Sequence, residues 1–120
     1  MKYVNIGKLR LSKIICGTNP FYGRSHFSAA RNTEYLRRFD DETIKLTLQH
    51  CLALGINTLE SSANDRIFTI LSDLKRTNQD AIYFIGNTRI DQTSEIRSYL
   101  DKLSLLVEHR ADICIIHSQY

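Results

Sequence analysis

Hydrophobic positions change their spacing several times along the chain, and each change marks an element. "KYVNIGKLRLSKI", residues 2–14, holds two short alternating runs around Gly7-Lys8, the pattern of a small hairpin. "KIICGTN" is a short apolar run without alternation, closed by Gly17, Thr18 and Asn19, as expected of a strand covered on both faces. From Asp40 the spacing becomes helical. Ile44, Leu48, Cys51 and Leu52 share one face, with Asp40, Asp41 and Glu42 at the start and Gly55 just past the end. "INTLESS" predicts a second strand from Ile56 to about Ser61, and Ile67, Ile70, Leu71 and Leu74 form the next helical stripe. "AIYFIGN" predicts a third strand, Ile96, Leu100, Leu103 and Val107 a third helix, and "DICIIHS" a fourth, fully buried strand.

Strands that alternate with helices imply right-handed crossovers and a parallel sheet, so the fold class is α/β. One domain spans 1–120, with a hairpin over 1–13 and four strands with three helices over 14–120. Two architectures fit this order. An open doubly wound sheet binds ligands at a switch in strand order, and an eight-unit barrel binds them on the rim formed by the C-terminal strand ends. No Gly-x-Gly-x-x-Gly or Gly-x-x-x-x-Gly-Lys turn follows a strand, which weakens the nucleotide-binding open sheet.

Composition adds limits. A 120-residue chain that is 42% hydrophobic can build a packed core, and its single Pro and lack of low-complexity tracts argue against disorder. The first residues lack a signal peptide's apolar stretch, and nowhere do 18 uncharged apolar residues run together, so a cytoplasmic protein without membrane contact is expected. Cys16, Cys51 and Cys114 sit among apolar neighbours without a Cys-x-x-Cys pair and read as small buried hydrophobes. The net charge of +3 is modest and its basic residues alternate with acids, so nucleic acid is not implied. Arg24, Arg31, Arg37 and Arg38, with only Glu34 among them, are the exception and read as a solvated face able to attract an anion.

The C-terminal strand ends are all polar: Thr18 and Asn19; Glu60, Ser61 and Ser62; Asn87, Thr88 and Arg89; His117, Ser118 and Gln119. Convergence of a carboxylate, an imidazole, amides and hydroxyls above apolar strands suits a small-molecule substrate. The long connection from Pro20 to Phe39 reads as a functional loop carrying Tyr22, Arg24, His26 and Arg31, with Phe21 packed inward. Blander roles compete: a core histidine for His117, an ion pair with Arg66 or Arg89 for Glu60, a surface position for His26. His26, Glu60 and His117 are also a nitrogen and oxygen donor set, but no helical His-x-x-x-His spacing supports a metal, and no metal is assigned. Ser61 and Ser62 lack the Gly-x-Ser-x-Gly elbow of a nucleophilic serine.

"IGKLRLSKIICGT", "ALGINTLESS" and "ADICIIHS", in that order and spacing, resemble the aldo-keto reductases over nearly the whole chain. The resemblance implies an eight-stranded barrel with an N-terminal hairpin across its bottom, and reduction of a small carbonyl compound by NADP(H). In "ESSAND", Glu60 stands at the family's acid position and Asp65 where its tyrosine is expected. Thr88 stands where the family has lysine, with Arg89 beside it, and His117 in "IIHS" keeps the family's histidine. Of the strand-end and loop residues, Asn19, Tyr22, His26, Asn87 and Arg89 are read as facing substrate, and Thr18, Ser118 and Gln119 as facing the cofactor that the resemblance implies. "GTNPFYGRSH" is similar to an altered branch of the family. Loss of the tyrosine and lysine removes the usual proton relay, so an inactive assembly module, or a lyase or isomerase using Glu60 and His117, stands beside the reductase. Four strands are half of eight, so the chain is expected to be a fragment or to complete its barrel by self-association.

Overall fold

The computed structural model describes residues 1–77, 82–90 and 95–117. The chain opens with an antiparallel hairpin of β1 (Tyr3–Ile6) and β2 (Leu9–Ser12), in which Val4 faces Leu11 and Ile6 faces Leu9. Gly7 takes a φ of 59° at the turn, a left-handed conformation that favours glycine. Side chains fasten this hairpin beneath the next layer. Ser12 N donates to Asn57 Oδ1 at 2.8 Å, Asn57 Nδ2 donates to the Arg10 carbonyl at 3.1 Å, and the Tyr3 hydroxyl donates to the Gly55 carbonyl at 3.0 Å.

Four further strands, β3 (Cys16–Gly17), β4 (Thr58–Ser62), β5 (Tyr83–Asn87) and β6 (Ile113–Ile115), pair in sequence order and all in parallel. The α/β class, the parallel sheet and the N-terminal hairpin follow the order read from the sequence. Helices α2 (Asp41–Ala53), α3 (Asp65–Thr77) and α4 (Ile96–Glu108) occupy the three crossovers. Their apolar stripes meet Leu59 and Phe84 in one core containing Ile44, Leu48, Ile67 and Leu106. α4 comes so close to β5 that a Cβ on Gly86 would collide with the Leu106 side chain. Between α2 and α3, Lys45 Nζ lies 3.0 Å from Asp73, while Arg66 binds Asp41 at 2.6 Å and the Phe21 and Phe39 carbonyls.

Three expectations are corrected. The segment 20–39 is not a plain loop: a 3-10 turn covers Asn19–Tyr22, and α1 runs over Ala29–Arg38. The described helices therefore number four, not three. Ser28 starts α1 by accepting from Arg31 N, a capping signal hidden in a polar stretch without apolar periodicity to announce it. The fourth strand is not fully buried, because among the described residues β6 has a sheet neighbour on one side only and leaves Cys114 and Ile115 exposed. Cys114 is thus exposed, whereas Cys16 and Cys51 are half-buried. Burial, with the neighbouring Cys51 thiol second, pushes the Cys16 thiol up to about 12. Among the described residues no helix is long and apolar enough to cross a membrane.

Candidate functional site

Parallel register brings the strand ends to one edge of the sheet, with Gly17 opposite Glu60, Ser62 opposite Asn87 and Asn87 opposite Ile115. Side chains alternate along a strand, so Glu60 and Asn87 emerge on the same face, away from the Leu59 and Phe84 core. There Asn87 Nδ2 donates to Glu60 Oε1, and Asn87 Oδ1 accepts from Arg89 N at 3.0 Å. Glu60 therefore takes its hydrogen bond from an amide on the adjacent strand, and Arg66, one of its expected partners, serves Asp41 instead.

Tyr22 reaches the end of β4 from the loop after β3. Pro20 favours the first turn of the 3-10 segment, and Gly23, with φ 68°, closes it by donating to the Pro20 carbonyl at 3.2 Å. Phe21 is buried against Phe39 at a ring distance of 5.2 Å, which anchors the turn and sends the next residue toward the strand end. The Tyr22 hydroxyl lies 2.7 Å from Ser61 Oγ and accepts from Asn64 Nδ2 at 3.0 Å. Ser61 Oγ donates onward to the Ser62 carbonyl at 3.0 Å. With one proton on each hydroxyl, a consistent direction runs from Asn64 to Tyr22 to Ser61 to the Ser62 carbonyl.

Beside this chain lies an open cleft of about 430 Å³, walled by Tyr22 and Asn64 and flanked by Arg24, Arg89 and Lys102. Lys102 arrives from α4 and donates from Nζ to the Ala63 carbonyl at 2.9 Å. Arg24 lies over the Tyr22 ring, 5.7 Å from its centroid, close enough for a cation–π contact.

Other candidates have different placements. Thr18 is buried, and its hydroxyl donates to the Glu60 carbonyl at 3.1 Å. Thr88 is also buried and acts as a staple between strand ends: its N donates to the Ile115 carbonyl, and its Oγ1 accepts from His117 N, both at 3.1 Å. Asn19 Nδ2 meets His26 Nε2 at 3.4 Å on the exposed loop, where His26 has a φ of 58°. Asp65 is exposed at the start of α3 and lines a separate groove with Phe68, Thr69 and His109. His117 is half-buried just beyond β6, and its Nδ1 is buried without a hydrogen-bond partner. Ser118 and Gln119 lie outside the described residues.

Asn64 and Lys102 are site residues that the strand-end reading passed over. Asn64 Oδ1 caps α3 by accepting from Ile67 N at 3.0 Å, so an asparagine three positions before the first apolar helix residue was the available signal. Lys102 stands four residues before Leu106, on the same helix face one turn nearer the strand ends. Its position requires knowing that Leu106 is the residue seated on Gly86.

Among the described residues, no three His, Cys, Asp or Glu side chains gather closely enough to hold a metal ion. Comparison of the chain with models of known families, with curated proteins and with solved structures finds no match.

Proposed function

We propose that the sheet's C-terminal edge is a small-molecule site and that the chain forms the first half of an aldo-keto-reductase-like barrel acting on a small carbonyl compound. The observation that carries this reading is the Glu60–Asn87 pair at the C-terminal strand ends, on the sheet face away from the Leu59 and Phe84 core, with the Asn64–Tyr22–Ser61 chain at the same strand ends on the opposite face. Placed polar groups over a packed apolar floor are what orient a small ligand. Glu60, fixed by Asn87, supplies a directed carboxylate. Tyr22 supplies a phenol whose proton is directed to Ser61 in the absence of ligand, so its role toward substrate is first to bind and orient.

NADP(H), implied by the resemblance, supplies a hydride when bound. Its assigned contact Thr18 does not fit that role, because the hydroxyl is buried and already donates to the Glu60 carbonyl. The test is fluorescence titration of NADPH, followed by NADPH oxidation with a panel of small aldehydes and ketones. Carbonyl-dependent oxidation that falls in Glu60→Gln supports the reading, and no NADPH binding at high-micromolar concentration removes its reductase form.

A second reading is favoured by the unpartnered His117 Nδ1: a lyase or isomerase in which Glu60 and His117 exchange protons with substrate. It predicts turnover without NADPH that disappears in His117→Gln. The open edges at β3 and β6 favour completion of the barrel by a second copy or by further strands, the route by which such edges are normally paired. If neither turnover appears while association remains, the chain is a non-catalytic assembly module.

A further inference from the structure

We infer that Cys16 and Cys51 form a dithiol site that a peroxide-class oxidant converts to a disulfide, fastening β3 to α2. The two residues are remote in sequence but face each other in the fold. Cys16 stands opposite Leu59 in the parallel register, so its side chain shares the sheet face that meets the helices. Cys51 lies one turn beyond the buried Leu48 and two beyond Ile44, on the stripe of α2 that packs against that face. There the two thiols meet in a side-chain hydrogen bond, and both are half-buried, which leaves part of each open to small solutes. Both backbones are held in place: Cys16 is paired to β4, and the Cys51 carbonyl accepts from Leu54 N at 3.1 Å and Ile56 N at 2.8 Å. Cys114 is no competitor, because β6 lies at the opposite end of the strand order from β3.

The environments of the two sulfurs assign their roles. Burial, with the Cys51 sulfur beside it, pushes the Cys16 thiol up to about 12, so Cys16 keeps its proton and Cys51 reacts first. Cys51 Sγ attacks one oxygen of hydrogen peroxide, the O–O bond breaks, and the thiol proton leaves with the departing hydroxide as water. The product is a sulfenic acid. Cys16 Sγ then attacks that sulfur: the S–S bond forms, the S–O bond breaks, and the Cys16 proton leaves with the hydroxyl as a second water. The dithiol gives up two electrons, and the peroxide is reduced to two waters. The bond closes the segment 16–51, which carries the Tyr22 turn and α1, into a covalent loop.

In the test, the folded 120-residue chain is treated with hydrogen peroxide, remaining thiols are blocked with N-ethylmaleimide, and tryptic peptides are mapped without reductant. The expected product joins peptide 14–24 to peptide 46–66, lacks about 2 Da for the two hydrogens removed, and is reversed by dithiothreitol. The linked chain should unfold at a higher urea concentration than the reduced chain, because the bond constrains the unfolded segment. In Cys16→Ser the sulfenic acid has no thiol to resolve it, so dimedone should label Cys51. In Cys51→Ser it should leave Cys16 unlabelled. The wild-type map decides the matter whether or not the serine variants fold. Cys16 and Cys51 both free after exposed Cys114 has been oxidised, a link that forms only in urea, or a link from either residue to Cys114 of the same chain would overturn the inference. Dimedone on Cys16 in Cys51→Ser would overturn the order of attack.

Discussion

The Tyr22 hydroxyl and Ser61 Oγ lie 2.7 Å apart, joining the loop after β3 to the end of β4. Tyr22→Phe keeps the ring and removes the oxygen between Asn64 and Ser61. The substitution should lower stability by about 1 kcal/mol, the usual worth of such a bond. Urea unfolding measures the loss. An unchanged midpoint would show that water replaces the hydroxyl without cost.

Gly86 and Leu106 fit only because glycine has no side chain. Gly86→Ala forces the Leu106 side chain or α4 to move and should cost about 1–3 kcal/mol. In Gly86→Ala/Leu106→Ala the collision is gone, so the combined loss should be less than the sum of the single losses. A double-mutant cycle on unfolding midpoints checks this, and additive losses would contradict the close approach.

The cysteines should separate by reactivity. Exposed Cys114 should alkylate with iodoacetamide in the folded protein near pH 8, while Cys16, its thiol pushed up to about 12, should not react until denaturant is added. Peptide mass mapping distinguishes the two. Because folding raises the Cys16 value from about 9, its contribution to stability is intact below pH 9 and declines as pH rises toward 12. Cys16→Ala should therefore flatten the alkaline limb of a stability profile.

At the acid end the sign reverses. Asp40 caps α2, and hydrogen bonding from the Thr43 side chain, then from Thr43 N at 2.8 Å, holds its carboxyl below the usual range; Lys45 with Arg76 does the same for Asp73. Their contribution is present above the ordinary carboxylate value of about 4 and is lost as pH falls below it. Asp40→Asn keeps a capping oxygen and should give a shallower acid limb in unfolding followed by circular dichroism.

Association is expected through the sheet edges, where Ile15 and Ile115 are exposed. Size-exclusion chromatography with light scattering should show a species above the 13.9 kDa chain mass, shifted toward it by a charge at Ile115. A stable monomer across micromolar concentrations would count against barrel completion by a second copy.

The elements that buried an apolar stripe were legible because periodicity is what burial selects. Ile67, Ile70, Leu71 and Leu74 announced α3, and "AIYFIGN" announced β5, since each packs into the core. α1 has no buried residue, and what holds it is the Ser28 cap with peripheral contacts, Leu36 packed beside Gly23 and Asn32 Oδ1 accepting from Ser25 N at 2.7 Å. The site was legible where strand order determines it: Glu60 and Asn87 had to emerge at one edge. Asp65, placed by the motif resemblance, stands in the first turn of α3 and lines the groove with Phe68 and His109. Tyr22, by contrast, gained its neighbours from a turn geometry that only Pro20, Phe21 and Gly23 together produce.

Thr58 and Ser61, three residues apart on β4, hold opposite ends of the molecule: Thr58 Oγ1 accepts from Ser12 N at 3.2 Å below, and Ser61 meets Tyr22 above. β4 is consequently the molecule's alignment key. A single-residue slip along it would unfasten the hairpin below and break the Tyr22 contact above together, so both ends of the molecule depend on the register of the same five positions.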